Sequence, residues 1–327
     1  MSQTNTPLKY AEDYAAMLDV VACDHPDSLS FYEALCNWQQ DNSERAKKCI
    51  NHLNETLSLM GDNQLVPEHP PTTAVGGFKG LVVVSANPGF KIRETQKNNK
   101  LADNREEMRI RKTKNLAFCR DFFSSHDSEL LNYTQGIQWW QRVGKFAYTL
   151  LKGEPAPTEK AALWQWASYG ELLGGVDLVP FHSTSDGITP AILKGKKRQE
   201  PAASIEAVRR IAKATLKMVI NDLQPKIVVV TSKAGSILAQ ELLTAEGHTG
   251  TEMRFECVGK VPLDFKSETK WQDGHIYLPR FYQIDRSGGQ STVILLFPMQ
   301  LFSNRGGHQS FNQQLAQGIH DSLFGGR

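Results

Sequence analysis

The stretch LVVVSANPGF, residues 81–90, runs four apolar residues straight into a turn that carries a polar side chain. Val82, Val83 and Val84 are β-branched and favour a strand, and a run this short is too brief for a buried helix. Asn87, Pro88 and Gly89 then end it with turn chemistry. Three further runs have the same form: GVDLVP (175–180), KIVVVT (226–231) and STVILLF (291–297). Helical periodicity fills the intervals, at 104–123, 137–151, 159–172, 204–222 and 234–243. Strands that alternate with helices predict a parallel sheet covered on both faces. Ligands of such sheets sit outside the carboxyl ends of the strands. Asn87 is therefore a candidate for chemistry, the alternative being an Asx turn that merely closes the strand.

Outward from this core, residues 1–60 read as a helical extension, with apolar residues at three- and four-residue intervals and Gly61 as a stop. Residues 61–80 are rich in Pro and Gly and read as a linker to an α/β domain over 81–327. Within that domain, 251–290 alternates polar and apolar residues. With Ser287-Gly288-Gly289 as a turn, it reads as a small inserted β-hairpin before the last core strand.

Composition bounds the function. The chain has 327 residues, a net charge of +2 and five cysteines without a CxxC pair or a Cys/His ligand spacing. Reduced thiols in a cytoplasmic protein are expected, with no metal and no cofactor. The start of the chain lacks the pattern of a secretory signal, and no apolar run spans a bilayer, so no membrane partner is expected. Charge is segregated: residues 91–120 hold ten Lys/Arg against four Asp/Glu, and 194–217 hold eight against two. Such stretches, Lys112 and Lys114 among them, either track phosphates or form solvated helix faces.

Four segments, in order, resemble the uracil-DNA glycosylase superfamily over residues 80–325. They are Ser85-Ala86-Asn87-Pro88-Gly89, Asp177-Leu178-Val179, the strand and helix QPKIVVVTSKAGSILAQELL (224–243), and Phe297-Pro298-Met299-Gln300-Leu301. The resemblance implies a three-layer α/β/α fold with a central four-stranded parallel sheet. It also implies hydrolysis of the N-glycosidic bond of a base flipped out of DNA. Such a site must position water, hold the base and stabilise the leaving group. In that frame Asn87 orients the water, while Pro88 and Gly89 fix the turn and admit the DNA backbone. Phe118 resembles the family's base-stacking Phe, with Phe90 as the competing stacker. Leu301 matches the wedge that fills the gap left by the flipped nucleotide, in a loop with Ser303, Asn304 and Arg305, though it reads equally well as a core anchor.

Two departures from the family pattern bear on substrate. Asp177 stands where the family reads a pyrimidine with Asn. An ionised carboxylate only accepts hydrogen bonds, so it opposes uracil O4 but suits the N4 amino group of cytosine. The alternative is a shifted register or an Asp that caps the next loop. Phe297 stands where the family has a leaving-group His, and His182 is the nearest replacement. His308 is a weaker candidate because GGHQSF also reads as a helix start. The expectation is a monomeric, monofunctional DNA glycosylase that releases a modified or damaged pyrimidine. A modified cytosine is the leading choice, such as hydroxymethylcytosine or its glucosylated form in phage DNA, consistent with antiviral defence. No Lys sits in a motif position, so release by water is expected rather than a Schiff base. The alternatives are a glycosylase-fold DNA-sensing module with altered catalysis, a repair enzyme for uracil or another deaminated base, and a nucleotide- or sugar-binding α/β protein.

Overall fold

Hydrophobic β-branched runs are buried where apolar side chains pack against them, and the strands of this chain feed two such clusters. A computed structural model describes residues 6–24, 34–35, 37–39, 41–60, 64–67, 72–74, 78–86, 138–168, 172–183, 192–193, 202–256, 271–272, 275–297, 301–302 and 308–325. Among these the chain passes through α1 (Thr6–Asp24), α2 (Ser43–Thr56), β1 (Leu65–Pro67), β2 (Thr72–Ala74) and β3 (Leu81–Ser85). It continues with α3 (Gln138–Lys152), α4 (Lys160–Ser168), β4 (Leu173–Asp177), β5 (Phe181–Ser183) and α5 (Ala202–Lys217). A π-helical turn (Met218–Leu223) leads to β6 (Ile227–Val230), α6 (Lys233–Ala245), β7 (Thr251–Glu256), β8 (Trp271–Gln272), β9 (His275–Asp285), β10 (Ser291–Leu296) and α7 (His308–Phe324).

The fold is mixed α/β, around one mixed sheet in the order β2-β4-β3-β6-β10-β9-β7, with β8 on β9. β4, β3, β6 and β10 pair with one another in parallel. β2 joins β4, and β9 joins β10, antiparallel. Successive strand residues point to opposite faces, and two apolar clusters result. Val82, Val84, Val228, Val230, Ile294 and Leu296 feed one cluster, with side chains of α1, α2, α5 and α6. Leu81, Val83, Ile227, Val229, Val293 and Leu295 feed the other, with side chains of α3, α4 and α7.

Several boundaries differ from the sequence expectation. The second core strand is 173–177 rather than 175–180. Gly174 and Gly175 carry no strand signal of their own, but they pair with Val82 and Val83. Residues 61–80, read as a linker, supply β1 and β2. β1 pairs antiparallel with β5, and β2 with β4. The excursion at 251–290 extends the sheet, and its turn at Ser287-Gly288-Gly289 folds β9 directly onto β10. The helix expected at 104–123 lies outside the described residues.

α1 and α2 contribute to the core. Tyr14 and Leu18 of α1 and Ile50 and Leu53 of α2 are fully buried in the cluster that holds Val82 and Val84. Ion pairs line the seams: Arg45 with Asp13, and Arg210 of α5 with Glu12 at 3.3 Å. Exposed pairs of this kind are worth about 0–1 kcal/mol, so the apolar contacts hold α1 in place.

Candidate functional site

The carboxyl ends of the four parallel strands form one row. Ser85 and Asp177 are register partners at the ends of β3 and β4. The pairing runs on past them: Leu178 N–H donates to the Ser85 carbonyl at 2.9 Å, and Val179 N–H to the Ala86 carbonyl at 3.1 Å. The residue before Asn87 is thus tied to the residue two beyond Asp177. Thr231 N–H donates to the Val84 carbonyl at 3.0 Å, and Phe297 N–H to the Val230 carbonyl at 2.8 Å, which brings the ends of β6 and β10 into the same row. Ser232 caps α6 by accepting from Gly235 N–H at 2.9 Å. One turn later Ser236 donates to the Phe297 carbonyl at 2.9 Å, which fastens the first turn of α6 to the end of β10.

Asp177 is the one predicted catalytic residue whose side chain is described. It is half-buried, next in sequence to the buried Val176, Leu178 and Val179, and burial pushes its carboxyl up to about 7. The charged form loses hydration that no described residue replaces with an ion pair or hydrogen bond. At neutral pH such a carboxyl is about half protonated, and the protonated form both donates and accepts. The acceptor-only reading of Asp177 thus belongs to its ionised form, while the neutral form can match either pyrimidine edge. Tyr14 of α1 lies within electrostatic reach of it. Burial raises the Tyr14 hydroxyl far above its ordinary range; the Thr215 hydroxyl 3.4 Å away lowers it, and the Asp177 charge raises it further. Nothing in the sequence singled out Tyr14 for this place. Its spacing with Tyr10 and Leu18 reads simply as the apolar stripe of a helix.

His182 lies in β5, with its backbone opposite Val66 of β1. Phe297 is buried and meets Phe146 edge-on at a ring separation of 6.5 Å, so its side chain is turned into the core. Leu301 is also fully buried, in the same cluster, and its carbonyl accepts from the Asn312 side chain at 2.8 Å. Of its two readings, the packing supports the core anchor. A wedge needs free apolar surface, and this side chain has none. His308 opens α7, as its helix-start reading expects. Asn87, Pro88, Gly89, Phe90, Lys112, Lys114, Phe118, Ser303, Asn304 and Arg305 lie outside the described residues.

Among the described residues, no three His, Cys, Asp or Glu side chains gather as a metal-binding group, and no helix is long and apolar enough to cross a membrane. No protein-family model matches the chain, and neither does any curated protein.

Proposed function

We propose that this protein is a monofunctional DNA glycosylase that releases a cytosine-type pyrimidine by water. The observation that carries the reading is the zipped pair of strand ends. Ala86, one residue before Asn87, bonds to Val179, two residues after Asp177. A water-orienting amide and a base-reading carboxyl are required side by side, and these are the segments that the resemblance names. The same reading assigns a three-layer α/β/α fold with a four-stranded parallel core, supported by the parallel pairings of β4, β3, β6 and β10 and by the two apolar clusters.

The chemistry follows from the state of Asp177. A neutral carboxyl donates its O–H to N3 of cytosine and accepts from the N4 amino group. Cytosine leaves poorly as an anion, so a proton delivered to N3 lowers the barrier as the bond breaks. The C1′–N1 electron pair goes to the base and the Asp177 proton goes to N3. Water held by Asn87 adds its oxygen to C1′, and its surplus proton passes to solvent. A carboxyl that titrates near neutrality suits this duty and supplies the leaving-group help that Phe297 cannot.

Base release from duplexes carrying uracil, hypoxanthine, 5-hydroxymethylcytosine or its glucosylated form tests the proposal. Release of a cytosine-type base is expected, and Asn87→Ala is expected to reduce it at least a hundredfold with DNA affinity retained. An Asn87→Ala variant with near-normal turnover removes the central claim. Binding without release by the wild-type chain favours the DNA-sensing alternative.

A further inference from the structure

We propose that Asn54 is a positioning residue for the segment that carries Asp177 and His182, a role that rests on the glycosylase reading only where activity is concerned. Asn54 lies in the last turn of α2, and its amide bonds both backbone polar groups of Leu65. Leu65 N–H donates to Oδ1 at 2.7 Å, and Nδ2 donates to the Leu65 carbonyl at 2.9 Å. A carboxamide has the donor and acceptor of a peptide group, so Asn54 serves as a one-residue strand beside β1. In an antiparallel pair, the N–H and C=O of one residue face one side and those of the next face the other. With Leu65 turned to Asn54, Val66 is the residue whose backbone faces β5, and its register partner is His182.

Among the described residues, β1 and β5 pair with no third strand. The ladder is three residues long, and Leu65 and Phe181 seat it in the cluster that holds Val82 and Val84. An isolated two-stranded ladder is marginal in water. On the other strand, Phe181 is buried against Tyr10 at a ring separation of 6.2 Å. α1 and α2 therefore hold β5 together, one through an aromatic contact and one through Asn54. Leu178, Val179 and Pro180, all buried, link β5 to Asp177, so a shift of β5 reaches the strand end through three packed residues.

Asn54→Asp is nearly isosteric but sets an oxygen against the Leu65 carbonyl, and Asn54→Ala removes both bonds. Amide deuterium exchange of the full-length chain, with no DNA present, is the direct test. Peptides over 177–183 are expected to exchange at least tenfold faster in Asn54→Asp, with α5 and β6 protected as in the wild type. Unchanged exchange over 177–183 overturns the proposal. Loss of protection in α5 and β6 as well, in both variants, overturns it too, because Asn54 is then a residue of global stability. If only Asn54→Ala fails to fold, Asn54→Asp decides. The activity arm uses a duplex bearing 5-hydroxymethylcytosine: kcat is expected to fall at least tenfold with KM changed less than twofold. Faster exchange with unchanged kcat overturns the positioning role. A wild-type chain that releases no base sinks the glycosylase reading alone, since the exchange result stands without it.

Discussion

At the scale of single residues, Asp177 joins stability to activity through one proton. Folded, its carboxyl titrates at about 7; unfolded, an Asp releases its proton near ~3.9. Below the lower value both states are protonated and burial carries no charge penalty. Between the two values the unfolded chain binds fewer protons, so this group's contribution to stability is lost as pH rises, and the loss is complete above about 7. Asp177→Asn removes that slope. The variant is expected to be more stable than the wild type at pH 8 by roughly 2–4 kcal/mol, and equal to it near pH 4, by urea unfolding. Activity should respond in the opposite sense. Wild-type release of a cytosine-type base is expected to fall as pH rises through 7. Asp177→Asn should be slow and flat with pH, since an amide has no proton to give N3. Its permanent donor toward O4 should shift kcat/KM relative to uracil by about 1–3 kcal/mol of discrimination. Equal stability at both pH values would place the Asp177 carboxyl in water, and the protonation argument would fall with it.

At the scale of elements, the joint between α3 and α7 rests on a position that only glycine fills. Gly153 follows α3 at φ +71°, and an added Cβ there would sit 2.2 Å from the His320 ring. That ring bonds the Leu150 carbonyl at 2.9 Å, and Gln317 donates to the Gly153 carbonyl at 3.1 Å, so both helices close on the same turn. Alanine in a left-handed conformation costs about 1–2 kcal/mol, and displacing the His320 contact adds about 1 kcal/mol. Gly153→Ala is expected to destabilise the chain by roughly 2–3 kcal/mol in urea, with the slope of the transition unchanged. A variant within ~0.5 kcal/mol of the wild type, the usual range for inert surface changes, would show that the joint yields.

For the molecule as a whole, the N-terminal helices are a wall of one core. Tyr14, Leu18, Ile50 and Leu53 are fully buried in the cluster that holds Val82 and Val84, and each such side chain stabilises by about 1.5–3 kcal/mol. Four of them together amount to roughly 6–12 kcal/mol, comparable with the whole stability of a typical domain. Removal of residues 1–60 is therefore expected to abolish cooperative thermal unfolding and to expose the Val82 and Val84 face to an apolar dye. A truncated chain that still melts in one sharp transition would show that residues 61–327 fold alone.

Much of the sheet was legible in the sequence, because burial on both faces leaves a local mark. β3, β6 and β10 are continuous apolar, β-branched runs, and α3, α5 and α6 carry helical periodicity in their own residues. β1 and β2 had no such mark. They are three residues each amid Pro and Gly, and they are strands only because β5 and β4 lie alongside. The start of β4 hid behind two glycines for the same reason. At the candidate site, sequence alone selected Asp177 and its place at a strand end. Tertiary structure decided the rest: desolvation, which sets its proton; the core around Leu301; and the reach of Asn54 across to Leu65. Residue type and spacing travel with the chain. A carboxyl's hydration and an amide's partner depend on what the fold brings beside them, and that is decided by contacts between residues far apart in sequence.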